Sequence, residues 1–162
     1  MQTDEDKIEA MKFAMKLIGL RLRSEQELLD RLRRKGYAES LSLEVMAEME
    51  RYGYINDSRF AESYINDRIN FRPAGHYVIK MELKAKGISE DIVDAKLDEL
   101  LGRDVELRLA EKLAKKKIRI AGVADRRQVR NRVIGYLGSK GFSSDIISQA
   151  VDNAIKLDQD ID

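Results

Sequence analysis

A six-residue pattern (leucine, two variable residues, lysine, glycine, an apolar residue) occurs three times in this chain, at 32–37, 83–88 and 137–142. Its glycines stand 51 and 54 residues apart. Glycine just past a helix end, with an apolar residue behind it, is a common helix stop because glycine takes the left-handed conformation at little cost. A recurrence of about 50 residues falls in the range of helical repeats. Upstream of each stop lies an apolar-Ala-x-x-apolar stretch: Phe13-Ala14 to Leu17, Phe60-Ala61 to Tyr64 and Leu109-Ala110 to Leu113. Downstream, Lys86–Ile92 and Lys140–Ile146 agree at five of seven positions. Three in-phase copies predict an internal repeat of three helices.

The middle copy, Tyr54–Leu100, is the most complete. Asp57 is placed to cap a helix whose apolar stripe is Phe60, Ala61, Tyr64, Ile65 and Ile69. Pro73, the only proline, breaks it at Arg72-Pro73-Ala74-Gly75. A second helix carries Val78, Ile79, Leu83 and Ala85 and stops at Lys86-Gly87, and Ser89 caps a third with Ile92, Val93, Leu97 and Leu100 inside.

The flanks follow the same plan. The first seven residues read as a frayed lead-in to a helix over 8–20; Ser24 to Glu27 forms a capping box opening a helix that stops at Lys35-Gly36; Ser42 opens a third helix running to Gly53. After the middle copy a long helix is expected over 103–120. Its alternating Lys117-Ile118-Arg119-Ile120 end is read as helix, since a lone strand has nothing to pair with. Asp125-x-x-Gln128 resembles another capping box, Ser143 opens the last helix, and Asp158, Asp160 and Asp162 make an acidic tail. The expected fold is therefore all-α: three tandem three-helix repeats (1–53, 54–101 and 102–162) in an elongated array. Gly36, Gly87, Gly141, Asp57, Phe60 and Ala61 are its structural landmarks. A charged fraction of 36%, against about 25% in ordinary chains, gives much helix surface per residue, which suits an extended monomer.

Catalysis finds no footing. The absence of cysteine removes a thiol nucleophile, and nothing like a Ser-His-Asp set can be argued from His76, the only histidine. Asp91, Asp94 and Asp98 share a helix face, but without a calcium-loop pattern or a histidine partner they read as a solvated acidic surface. Gly36, Gly87 and Gly141 stand alone rather than in a phosphate-cradling loop. No catalytic, cofactor or metal residues are assigned. No apolar run is long enough to span a membrane, and the acidic N-terminus lacks a signal-peptide core, so a cytoplasmic location is expected.

Charge is distributed unevenly. The net value is +1, yet residues 103–141 hold 12 basic and 4 acidic groups. Lys112, Lys115, Lys116, Lys117 and Arg119 lie on one helix and Arg126, Arg127, Arg130 and Arg132 on the next, with Lys112/Lys116 and Arg126/Arg130 as i, i+4 pairs. These nine are the candidates for contact with DNA phosphates or a DNA-bound partner. A smaller basic patch around Arg31, Arg33 and Arg34 has acidic residues interleaved. Exposed aromatic platforms for bases are not evident, and Tyr136 and Phe142 read as core.

Arg23-Ser24-x-x-Glu27-Leu28, then Gly53-Tyr54-Ile55-Asn56-Asp57-x-Arg59-Phe60-Ala61 with Glu82-Leu83-x-x-Lys86-Gly87-Ile88, and finally Leu137-x-x-Lys140-Gly141-Phe142 together resemble the RecX family of recombinase regulators. The family pattern usually carries two acids before Arg-Phe-Ala, and here the first is Asn56. The resemblance implies tandem three-helix repeats and no cofactor. It also implies binding to the RecA recombinase filament on single-stranded DNA, with inhibition of filament growth, ATP hydrolysis and strand exchange in recombination, repair and the SOS response. Two other classes stay open: a direct DNA-binding helical module, for which Arg127, Gln128, Arg130 and Asn131 supply groove-reading side chains, and a helical-repeat scaffold for some other protein.

Overall fold

A computed structural model describes residues 3–122 and 125–159, with side chains to Lys156. Among the described residues there are nine α-helices and no strand: α1 (Asp4–Leu20), α2 (Glu25–Lys35), α3 (Glu39–Arg51), α4 (Asp57–Phe71), α5 (His76–Ala85), α6 (Glu90–Leu100), α7 (Arg103–Ala121), α8 (Arg126–Ser139) and α9 (Ser144–Gln159). They form the tandem three-helix repeats that the recurring stop predicts.

That stop is the same construction each time. The amide of Gly36 donates to the Arg33 carbonyl (3.0 Å) and that of Tyr37 to the Leu32 carbonyl (3.3 Å). Gly87 and Ile88 bond to Lys84 and Leu83, and Gly141 and Phe142 to Gly138 and Leu137, in the same way. Two bonds returning across the last turn define the Schellman motif, which also brings the leucine and the final apolar residue into contact range. The three glycines have φ of +99°, +79° and +86°. The sequence pattern is the chemical statement of this cap.

Helix starts follow the sequence less closely. Ser24 makes its capping box in full: its hydroxyl accepts from Glu27 N–H (3.1 Å) and the Glu27 carboxylate accepts from Ser24 N–H (3.3 Å). α1 does not begin with a frayed lead-in. Thr3 and Asp6 form a capping box, and Lys7 ties this turn to Glu44 (2.6 Å) and Glu48 (2.7 Å) on α3. α3 starts at Glu39, one turn before Ser42. Ser42 sits on the inner stripe with Val45 and Met49, fully buried, its hydroxyl without a hydrogen-bond partner among the described residues.

Asp57 is the first residue of α4 rather than its cap. The Asn56 side chain accepts from Arg59 N–H (3.0 Å), and the Asn56 carbonyl takes the first helical bond from Phe60. An asparagine caps as well as an aspartate does, which frees Asp57 for another partner. Asp125 caps α8 through Arg127 N–H (3.2 Å), without the reciprocal bond from Gln128. α7 continues as helix through Lys117–Ile120. The expected acidic tail lies outside the described residues at Asp160 and Asp162, and nothing is described of the Asp158 side chain.

The chain divides into two compact units. The first runs to Glu62 and takes in Leu83–Val93; the second comprises Ser63–Glu82 and the chain from Asp94 onward. Each contains one join between successive repeats. The first unit has a core of Ala10, Ala14, Leu17, Leu28, Leu32, Val45 and Met49, with Phe60 and Ala61 also buried. At its join the Ser24 hydroxyl donates to the Lys86 carbonyl (2.6 Å), the Asp57 carboxylate accepts from Glu25 N–H (2.9 Å), and Lys86 pairs with Glu27 (3.1 Å). The second unit buries Leu109, Ala110, Ala114, Val133, Leu137, Ile146, Ala150 and Val151. Its join combines two backbone–backbone bonds, Gly75 N–H to the Lys140 carbonyl (2.8 Å) and Tyr77 N–H to the Gly141 carbonyl (3.2 Å), with one side-chain acceptor, the Glu106 carboxylate bonded by His76 N–H (2.9 Å).

Candidate nucleic-acid interface

On α7 the buried residues are Glu106, Leu109, Ala110 and Ala114, and on α8 they are Val129, Val133 and Leu137. The 3.6-residue period therefore turns the intervening cations outward. Lys112, Lys116, Lys117 and Arg119 on α7, and Arg126, Arg127 and Arg132 on α8, are exposed. Lys115 and Arg130 are half-buried, and Arg130 is occupied: its guanidinium pairs with Asp152 of α9 at 2.8 Å. Lys117 is positioned too, its ammonium 4.3 Å from the centroid of the Tyr136 ring, with Lys140 at 5.6 Å from the same ring. Tyr136 is thus half-buried beneath two cations, whereas Phe142 is in the core as expected.

Three of the four acids in this stretch face other work. Glu106 accepts from His76 N–H, Glu111 from the Asn153 side chain (2.6 Å), and Asp125 from Arg127 N–H. Among the described residues, Lys112, Lys116, Arg119, Arg126, Arg127 and Arg132 make no ion pair. Cations that are not neutralised within the fold can neutralise phosphates and release the cations condensed on a nucleic acid, which is the electrostatic source of nucleic-acid affinity.

The smaller patch separates into two parts. Arg33 is turned to Glu39 (Nε to Oε2, 2.8 Å) and lies 3.5 Å from Asp30. Arg31 and Arg34 instead line an open groove with Arg21 and Arg23. His76 opens α5, and its backbone rather than its ring is engaged with Glu106. Asp94 pairs with Lys80 (2.7 Å), and no group of three metal-ligating side chains comes together among the described residues. No described helix is long and apolar enough to cross a membrane.

Two features escape the sequence reading. The first is the pair of junction acids. Counting three residues back from Phe60 and Leu109 gives Asp57 and Glu106, while the same count from Phe13 gives Ala10. The acid occurs in the two copies whose first helix meets the second-helix N-terminus of the repeat before it, so comparing the three copies position by position finds it. The second is a set of exposed aromatics, including Tyr52 (60% exposed), Tyr54 (48%) and Phe71 (77%).

Comparison with known proteins places this architecture. Family models described as the first, second and third three-helix domains of RecX match in series over residues 10–49, 56–97 and 104–151. The regulatory protein RecX of Pelodictyon phaeoclathratiforme is 33% identical, over 92% of this chain and 91% of its own length. That of Leuconostoc mesenteroides is 28% identical, over 93% of this chain, and the chain spans only 56% of that longer relative. The crystal structure of RecX from Lactobacillus salivarius superposes with a TM-score of 0.87 at 28% identity, covering 94% of this chain and 98% of that one. The chain belongs to the RecX family.

Proposed function

We propose that the chain regulates a RecA-type recombinase, mainly as an inhibitor: it binds the recombinase filament on single-stranded DNA and limits filament growth, ATP hydrolysis and strand exchange. The observation that carries this reading beyond family membership is the face of six cations on α7 and α8 without an ion pair among the described residues, which can neutralise phosphates of a DNA-bound filament and release the counterions condensed on them. The relatives' shared name, regulatory protein RecX, supports a regulatory role rather than chemistry on a substrate. The chain then acts by binding, as a monomer in the cytoplasm, and needs no cofactor.

The test is to titrate the chain into purified recombinase on single-stranded DNA, following ATP turnover and filament extension, with a DNA-only binding arm. Suppression of turnover at concentrations where DNA alone is little bound supports the filament reading. Exposed Arg126, Arg127, Gln128 and Asn131 on α8 favour a second reading, direct DNA contact. Tight DNA-only binding without any effect on the recombinase selects that one. No binding in either arm leaves a helical scaffold for another protein.

A further inference from the structure

The other charged face lies in the first unit, where charge meets exposed aromatic rings. Gly53, at φ +72°, turns the chain between α3 and α4 and leaves Tyr52 and Tyr54 outward. Their ring centroids are 6.1 Å apart at 44°. Arg51 holds the first ring, its guanidinium 4.7 Å from the Tyr52 centroid and bonded to the Tyr52 hydroxyl at 2.9 Å. Tyr54 borders a small recess with Leu22, Arg23 and Arg59, and Arg23 also borders the open groove lined by Arg21, Arg31 and Arg34. One arginine therefore joins an aromatic surface to a basic one.

The cations of the groove are short of partners. Glu27 is taken by Arg21 (3.0 Å) and Lys86 (3.1 Å), and Asp30 accepts from Gln26 (2.9 Å). Arg31 and Arg34 are exposed and make no ion pair among the described residues. Arg23 is fixed by its bond to the Leu17 carbonyl (3.2 Å), and burial, with Arg21 and Arg31 close by, pulls its pKa down. Crowded like charges of this kind are relieved by an anion.

We infer that this face binds single-stranded nucleic acid directly, with Arg23, Arg31 and Arg34 along the phosphates and unstacked bases on Tyr54 and Tyr52. Tyrosine faces reward only bases that are out of a duplex stack, and arginine beside them supplies the phosphate contact. An acidic protein segment would engage the arginines and leave the rings in water. This inference does not rest on the recombinase reading, and its test contains no recombinase.

The full chain is titrated, by fluorescence anisotropy, into a labelled oligothymidylate of about fifteen nucleotides and into an abasic oligomer of equal length. The ratio of the two affinities isolates base stacking, because phosphate contacts anywhere on the chain affect both probes alike. The wild type should prefer the thymidine probe by about tenfold or more. Tyr52→Ala with Tyr54→Ala should bring the two probes level and leave abasic binding unchanged; Tyr52→Phe with Tyr54→Phe should restore the preference. Arg31→Ala with Arg34→Ala should weaken both probes together. A wild type that does not distinguish the probes, or a preference that survives the alanine pair, overturns the inference. So does polyglutamate competing as well as the oligomer, which would assign the groove to an acidic protein.

Discussion

The two joins between repeats do the same job with different chemistry. In both, the N-terminus of the second helix of one repeat meets an acid at the start of the next repeat's first helix and the Lys-Gly end of its second. At the first join the contact is made by side chains: the Ser24 hydroxyl on the Lys86 carbonyl, Lys86 on Glu27, and Asp57 on the Glu25 amide. At the second, Gly75 stands where the first has Ser24, and backbone touches backbone directly. A Cβ on Gly75 would lie 2.4 Å from Phe142 N, and one on Gly141 would lie 2.5 Å from Val78 N. A Cβ on Gly87 meets the Gln26 side chain instead, at 2.4 Å, and one on Gly36 meets nothing within 4 Å among the described residues. Three glycines that look alike in sequence therefore carry three different constraints.

Valine at each of them separates those constraints. Gly141→Val should cost most, about 4 kcal/mol, combining left-handed strain with a clash against backbone that cannot move aside. Gly75→Ala, which carries the clash without the strain, should cost about 3 kcal/mol. Gly87→Val should cost about 2–3 kcal/mol, since Gln26 can partly yield, and Gly36→Val about 1 kcal/mol from strain alone. Denaturant midpoints for the four variants check the order. Equal losses at 36, 87 and 141 would mean that the glycines serve only as helix caps and that the joins add nothing.

Ser24→Ala sharpens the comparison from the other side. It removes the capping bond and the link to the part-buried Lys86 carbonyl together, and should cost about 2 kcal/mol. Ser24→Gly should not rescue it, because the first join lacks the close backbone approach that makes glycine useful at 75. Full rescue in the same midpoint measurement would show the two joins to be interchangeable.

The smallest expected effect is a pH slope. Burial raises the pKa of Asp57 above the usual 3.8, only partly offset by its bond from Glu25 N–H, with Glu27 and Glu50 raising it further. The folded chain thus binds this proton more tightly than the unfolded one. The sign follows: this group's contribution to stability falls as pH rises from about the ordinary aspartate value through the raised one, and levels off above it. Asp57→Asn should flatten that part of the stability profile while keeping an acceptor for Glu25 N–H. A slope unchanged in the variant would assign it to other carboxylates.

What could be read beforehand was whatever one segment determines by itself. The Schellman stops, the Ser24 box, the break at Pro73 and the outward cations of α7 and α8 all follow from local spacing. Asp57 and Ser42 depart from their local pattern for a shared reason. Each is a good cap in isolation, but Asn56 stands one residue before Asp57 and takes that role, and Ser42 falls in phase with Val45 and Met49 on the buried stripe. The junction roles of Gly75, Gly141 and Glu106 depend on residues 30 to 67 positions away, which local spacing does not reveal. Likewise, that Arg130 is held by Asp152 and Arg33 by Glu39 separates paired from unpaired cations only once the helices are packed.

The joins hold the repeats, but the proposed activity rests on the unpaired cations of α7 and α8. Binding of the chain to recombinase filaments on single-stranded DNA should be titrated against salt for the wild type and for Lys112→Glu, Lys116→Glu, Arg126→Glu and Arg127→Glu combined, with circular dichroism as the folding control. All four positions are exposed and off the apolar stripes, so the fold should be retained. If each contacts one phosphate of a single strand, the slope of log affinity against log salt should become shallower by about 3, with weaker binding at low salt. Equal slopes and equal affinities in the two proteins would contradict the account and leave the basic face as a solvated surface.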